Sequence, residues 1–257
     1  SVIGNAIESI CLLLTSTFKL FDIAALSIKS AKISYFATEM QQVNPSFNVL
    51  APEINFETAQ LFVEAGPMGI SLLVLDNGNC FKAVVSYAFE AGANEDEMAE
   101  EFLLIFKREK LLQHKFYKTH IFWSFAESIL VPNELMDAER NVNMVTLVFG
   151  EAKNGVIRSD HLFKPNLHNV YRIPQSTIDV FSANLPMATQ THFFSTLVNR
   201  NIPEGNNLFA IIYRNYLTIM LCKQGKLQAV QNFEYSSPDD CAFHLLNVCK
   251  GFDVPPD

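Results

Sequence analysis

Five cysteines (Cys11, Cys80, Cys222, Cys241, Cys249) and six histidines (His114, His120, His161, His168, His192, His244) are the side chains of this chain best suited to metal binding or nucleophilic chemistry. Their spacing supports neither. No two cysteines stand in C-x-x-C order, and the histidines lack close ligand spacing, so no metal site is expected. An odd number of thiols without paired spacing suits a reducing compartment and a structural role for each. The glycines form no phosphate cradle of a known kind. Gly150-Glu151-Ala152-Lys153-Asn154-Gly155 runs into Val156-Ile157 and so fails the P-loop pattern, and G-x-G-x-x-G, G-x-S-x-G and H-E-x-x-H are all missing. Acid pairs such as Asp239-Asp240 fall where a helix begins, and capping explains them.

Composition narrows the partners. The formal charge of −8 disfavours a broad nucleic-acid surface, which needs clustered Lys and Arg. The densest basic group, Lys107, Arg108 and Lys110, comes after an acidic helix start and reads as a helix C-terminus meeting its dipole. Phe is abundant, at 22 residues against one Trp, and reads as core. The apolar run Ile10 to Leu14 has no Lys or Arg before it and is too short to span a bilayer. Neither export nor membrane insertion is expected, and the expected location is cytoplasmic.

The elements that would position a site come in two similar blocks. The first has strands at Leu61 to Glu64, Ile70 to Asp76 and Cys80 to Phe89, with Asn77-Gly78 as the hairpin turn. A helix comes next, capped by Asn94, acidic at Glu95, Asp96 and Glu97, with an apolar stripe of Met98, Phe102, Ile105 and Phe106. The second has strands at Leu208 to Tyr213, Leu217 to Cys222 and Leu227 to Tyr235, with a Gln224-Gly225 turn. Its helix is capped by Ser236 or Ser237, has Pro238 in its first turn, and carries a stripe of Ala242, Leu245, Leu246 and Cys249. Shared order, turn position, cap chemistry and an Ala-Val pair (Ala83-Val84, Ala229-Val230) read as an internal duplication, the alternative being chance recurrence of a common unit.

Between the blocks the pattern predicts a strand at Thr119 to Phe125, a helical or irregular segment over Asn133 to Phe149, and strands at Val156 to Phe163 and Asn169 to Ile173. Helices are expected from Pro174 to about Ala183 and from Thr191 to Arg200. The second block ends where the first proceeds to a fourth strand. Val2 to Ser9 matches Ile121 to Ser128 in its strand-then-Glu-Ser ending, Ile10 to Phe18 then reads as a helix, and Leu20 to Ile28 as a strand. Residues 1–39 either complete the second lobe in permuted order or form an unrelated extension. The expected division is a first lobe over 40–185 and a second over 186–257.

Three strands, a helix and a fourth strand, present twice, resemble the α/β layout of the actin, hexokinase and heat-shock chaperone superfamily, whose two lobes each have a ribonuclease H-like core of mixed sheet and packed helices. Within it the chain is most similar to an uncharacterised Bacteroidetes family with a degenerate actin-like fold, itself distantly similar to the pilus-assembly protein PilM. The resemblance rests on the two blocks, on Val131-Pro132 with Leu135-Met136-Asp137, and on Met187 to Leu197 with His192. It implies a cleft between lobes. ATP-binding members hold phosphate there on an acidic-x-Gly turn between the first two strands of each lobe. Here Glu64, Gly66 and Gly69 are the corresponding candidates, but Pro67 lacks an N–H donor. The second-lobe turn, Tyr213-Arg214-Asn215-Tyr216, has neither acid nor glycine. Ordinary hairpin packing is the competing reading of Glu64 and Gly66. The expectation is a non-enzymatic interaction or scaffold protein with a protein partner and no cofactor, against the alternative of an actin-like ATPase with unorthodox phosphate contacts.

Overall fold

The structure, a computed structural model, describes residues 44–255 apart from 91, 164 and 201–203. The strand-helix-strand expected within residues 1–39 lies outside the described residues.

The first block folds into strands β1 (Phe47–Leu50), β2 (Gln60–Gly66), β3 (Gly69–Leu75) and β4 (Phe81–Ala88), then helix α1 (Glu95–Arg108). A short 3-10 turn leads to strand β5 (Lys118–Trp123). Strand β6 (Ser128–Pro132), helix α2 (Ala138–Phe149) and strands β7 (Gly155–Leu162) and β8 (Leu167–Pro174) form an inserted unit. Helix α3 (Gln175–Asn184), strand β9 (Thr189–His192) and helix α4 (Phe193–Val198) return to the first sheet. The second block has β10 (Asn207–Ile212), β11 (Tyr216–Lys223), β12 (Lys226–Glu234) and helix α5 (Pro238–Gly251).

Three sheets result. The largest has the order β1-β4-β3-β2-β5-β9, antiparallel through β2 and parallel for β2–β5 and β5–β9. The others are β10-β11-β12 and β6-β8-β7, both antiparallel. Strand periodicity assigns the faces. In β2, Leu61, Val63 and Ala65 join the cluster that packs α1 and α3, while Phe62 points the other way, into a cluster shared with Tyr216, Met220 and Cys222 of β11. Leu217, Ile219 and Leu221 of β11 face α5. The two sheets therefore meet face to face, each with its helix on the outer side.

Local chemistry explains the element ends. Asn94 and Ser237 each close a capping box, with Glu97 and Asp240 reaching back to the cap backbone. In the turn after β3, Asp76 Oδ1 accepts from the backbone N–H of Gly78 and Cys80, each at 2.9 Å. The positive φ falls on Asn79 rather than on the expected Asn77-Gly78 pair. Gln224 and Gly225 both adopt positive φ, as a two-residue hairpin turn requires.

Three expectations need correction. The helix expected from Thr191 is strand through His192, because β9 gains a parallel ladder with β5 before His192 caps the short α4. Strands β1 and β6 are absent from the sequence-based expectation; each is a sheet edge, and the exposed side chains of β1 give no alternation to read. The stripe of α5 is also shifted: Cys241, Val248 and Cys249 are buried, Leu245 is half-buried, and Ala242 and Leu246 are exposed.

Phe102 is fully buried, against Phe89 at 4.8 Å and Phe181 at 5.1 Å between ring centroids. Phe102→Ala should lower the unfolding free energy by about 3–5 kcal/mol, through lost transfer energy and a residual cavity. Leu147→Ala, at an exposed position of α2, should change it by less than about 0.5 kcal/mol. Urea unfolding of both variants checks the pair.

Candidate functional site

The candidate residues lie where the first sheet faces the second block. Glu64 is not in the β2–β3 turn. It sits within β2, opposite Ser71, and its side chain shares the face of Phe62, toward β11. The turn itself is the two residues Pro67 and Met68. Gly66 and Gly69 are both required by close approach. A Cβ on Gly66 would lie 2.4 Å from Ser124 Oγ, and one on Gly69, at φ +136°, would lie 1.9 Å from the Tyr87 carbonyl oxygen.

The second block meets this strand with its own hairpin. Tyr213 and Tyr216 flank the Arg214-Asn215 turn, which is closed by the Tyr213 N–H donating to the Tyr216 carbonyl at 2.8 Å. Their rings stack at 4.5 Å with 17° between planes. Both are buried. The Tyr213 hydroxyl donates to Glu64 Oε1 at 2.8 Å, and the Tyr216 hydroxyl donates to the Ser124 carbonyl at 3.1 Å. Thr218 donates to Asn232 Oδ1 at 2.6 Å, which leaves the Asn232 amide to donate to the Ala126 carbonyl at 3.2 Å. The space left among Ser124, Phe125, His192, Tyr213, Tyr216 and Asn232 is a cavity of ≈ 10 Å³, about the room for one water.

Burial sets the electrostatics. Desolvation raises the Glu64 carboxyl above its ordinary range, against the opposing hydrogen bonds from Tyr213 and Ser124. Among the described residues no cationic side chain forms an ion pair with it. Burial, and the Glu64 charge, likewise push the Tyr216 hydroxyl up.

A second polar cluster adjoins the first. Asp160 Oδ2 accepts from Ser195 Oγ at 2.6 Å, from the His192 N–H at 2.7 Å and from Thr191 Oγ1 at 2.9 Å, while Oδ1 accepts from the Tyr171 hydroxyl at 3.1 Å. Ser195 also accepts from Asn169 Nδ2 at 3.0 Å, and Asn169 Oδ1 accepts from Ser128 at 2.5 Å. The trio Ser195, His192 and Asp160 has the residue types of a hydrolase triad but different wiring. Ser195 gives its proton to Asp160 and not to the imidazole. His192 Nδ1 accepts from the Phe194 N–H at 3.1 Å, which places the ring proton on Nε2, where it donates to the Phe125 carbonyl at 2.9 Å. Burial holds this imidazole down at about 4, with Phe125 and Asp160 opposing. A nucleophile needs an adjacent free base, and both imidazole nitrogens are occupied by backbone groups. Asp160 instead binds β7 to β8, β9 and α4.

Sequence reading singles out Glu64, Gly66 and Gly69 and misses Ser124, Asp160, Asn169 and Ser195. Tyr213 and Tyr216 are visible in the sequence as the flanks of a turn lacking acid and glycine; their place against Glu64 is not. Among the described residues no group of three or more His, Cys, Asp or Glu could hold a metal ion.

The family described as "Protein of unknown function (DUF3822)" matches residues 53–257. No curated protein matches the chain. Among solved structures, a Bacteroides thetaiotaomicron protein described as having an actin-like ATPase fold and unknown function aligns at TM-score 0.69 and 16% identity, covering 79% of this chain and 81% of that one. At that identity the likeness shows the fold. A PilM–PilN type IV pilus biogenesis complex aligns at TM-score 0.41 and 15% identity over 76% of this chain and 66% of that one. The ethanolamine utilization protein EutJ from Carboxydothermus hydrogenoformans aligns at 0.38 and 13%, over 80% and 61%.

Glu64 and His192 should give opposite pH responses. Glu64 holds its proton more tightly folded than unfolded, so it favours the fold at low pH and that contribution is lost as pH rises from about 4.5 through the folded value. Glu64→Gln keeps an acceptor for Tyr213 and removes the charge; its stability relative to the parent should rise with pH between 5 and 8 in urea unfolding, and parallel profiles would count against a buried carboxyl. His192 has the opposite sign. Its depressed value gives stability present above about 6.5 and lost toward about 4, on the order of 3 kcal/mol over the full span. His192→Gln should lack that acid-side slope.

Proposed function

We propose, for a chain that belongs to the DUF3822 family of proteins of unknown function and has the actin-like ATPase fold, that it is a non-enzymatic interaction protein whose inter-lobe cleft is filled by its own side chains. The single observation that carries this reading is the Tyr213–Glu64 hydrogen bond with the Tyr213–Tyr216 stack behind it. In the arrangement that the resemblance implies, the two hairpin turns would approach phosphate from opposite lobes. Here the first turn offers Pro67, which has no N–H, and the acid two residues before the end of β2 is taken by a tyrosine of the other block. Arg214 and Asn215 supply no carboxylate to position metal-bound water. Phosphoryl transfer depends on positioning phosphates and metal from several sides, and these residues leave neither the space nor the ligands. Fold alone implies no activity.

The same reading takes the two blocks as diverged copies of one ribonuclease H-like unit. Matching capping boxes support it, as do Met98, Phe102 and Ile105 standing at the same distances from their cap as Cys241, Leu245 and Val248. The lobe boundary expected at 185/186 then moves past β9, which pairs with β5 in the first sheet, so that the first lobe runs from 40 through β9 and α4 and the second begins with β10. A protein partner suits the exposed Leu147, Val148, Phe163 and Met187; the acidic charge argues against nucleic acid. Among the described residues no helix is long and apolar enough to cross a membrane. Free Cys80, Cys222, Cys241 and Cys249 suit a cytoplasmic location and a Bacteroidetes source is in keeping with the first structural relative.

Titration calorimetry with Mg·ATP is the test. The expected result is no saturable binding by the parent protein. Micromolar affinity that disappears in Glu64→Ala would overturn the reading and favour the nucleotide-dependent alternative.

A further inference from the structure

The inserted unit brings together two histidines that take no part in the contact between the blocks. His161 and His168 are separated in sequence, yet they stand directly opposite one another on the β7–β8 hairpin. Side-chain alternation puts both on the face that carries Ile157 and Val170 toward Val145 of α2, the face opposite to that of Asp160. They lie at the hairpin end of that face, beside Val131, the β6 partner of His168. Their rings are stacked, with centroids 4.7 Å apart and 23° between planes. Phe163 packs against the His161 ring at 4.5 Å.

The hydrogen bonds fix which nitrogen of each ring is available. His168 Nε2 lies 3.0 Å from Asn133 Oδ1, and His161 Nε2 lies 2.9 Å from Asn166 Oδ1. An amide oxygen only accepts, so each Nε2 carries the proton and each Nδ1 keeps its lone pair. The His168 Nδ1 is shielded from water and has no hydrogen-bond partner among the described residues. A buried acceptor without a partner is costly, and a ligand that takes its lone pair removes the cost. Metal-binding histidines are held in this way, with the second ring nitrogen donating to an oxygen that sets the tautomer and the direction of the ring.

We propose that His161 and His168 form a site for a divalent transition metal ion of the zinc class, bound by the Nδ1 of each ring, with Asn133 and Asn166 orienting the two imidazoles from behind. Two metal–nitrogen bonds of about 2.1 Å span at most about 4.2 Å between nitrogens. Rings whose centroids stand 4.7 Å apart meet that span by rotation about χ2. Water fills the remaining positions, since among the described residues no third His, Cys, Asp or Glu joins the pair. Imidazole ligands suit Zn²⁺, Ni²⁺ and Cu²⁺, whereas Mg²⁺ and Ca²⁺ require oxygen. An ion on both rings bridges β7 to β8.

The experiment titrates the full chain, without an affinity tag, with zinc chloride at about pH 7.5, where ordinary imidazoles are neutral. Calorimetry should show one ion bound at micromolar affinity, and magnesium chloride should give no saturable heat. His161→Gln and His168→Gln should each abolish the zinc signal, and Asn133→Ala should weaken binding about tenfold. His161 is exposed, so its variant leaves the core intact and carries the test if His168→Gln folds poorly. Long-range proton–nitrogen spectra of the imidazoles should place zinc on both Nδ1 atoms while each Nε2 stays protonated. Binding that survives in His161→Gln would put the ion elsewhere, such as on the exposed Cys80 thiol, and overturn the proposal. So would the absence of binding to the parent chain, or spectra in which zinc moves one ring or neither.

Discussion

The first sheet is covered on both faces, by α1 and α3 on one side and by the second block on the other. A polar group on either face of its central strands has little water to bond and costs free energy unless it is satisfied from within; the Trp123 indole N–H on β5 is one that finds no partner among the described residues. Leaving a buried acceptor unpaired costs about 1–3 kcal/mol, more when it is charged. Glu64 is such a group, and the Tyr213 hydroxyl is its partner. That bond orients the β10–β11 hairpin over β2 and so sets how the two blocks sit together. The Tyr216 bond to Ser124 and the Asn232 bond to Ala126 hold the same interface along the loop after β5.

The same demand organises the neighbouring cluster. Asp160 lies on β7, in the inserted unit, yet its acceptors are filled by β8, β9 and α4. One carboxylate thereby fixes the insertion to the parallel edge of the main sheet. His192 is a component of this scaffold: its ring bonds backbone on both sides, and burial keeps it neutral. Chemistry needs groups with unspent donors or lone pairs facing a space where a substrate can sit. Here the donors and acceptors of these residues are turned on one another, and the cavity that Ser124, Phe125, His192, Tyr213, Tyr216 and Asn232 line is ≈ 10 Å³. The chain has an actin-like ATPase fold, and the described residues between its first sheet and the second block pack against one another.

Much of the architecture comes from short-range patterns. The short apolar runs of β2 and β3, the Asn94 cap, the Ser236-Ser237 cap pair and the Gln224-Gly225 turn each express a constraint acting within a few residues, and each is legible without the fold. Misreadings occur where tertiary contacts override local signals. Thr191 and His192 continue as strand because β5 offers a ladder. β1 has no buried face of its own to produce a periodicity. The α5 stripe is apolar as read, but β11 buries a neighbouring face of the helix, one centred on Cys241 and Val248.

For the site, the sequence alone determined that any phosphate turn would be degenerate: Pro67 lacks a donor, and Arg214-Asn215 lacks acid and glycine, whatever the fold does with them. It also determined the order of elements in the two blocks and the apolar face of α1, but not the face of α5 that packs on β11. Only the tertiary structure decided that Glu64 points away from the turn and into Tyr213, a partner 149 residues distant. It likewise decided that Ser195, His192 and Asp160 come together with their protons directed elsewhere. The physical reason is that the facing of two sheets is a long-range choice. Period-two alternation says which residues share a face, but the surface opposite that face depends on the burial of both sheets at once.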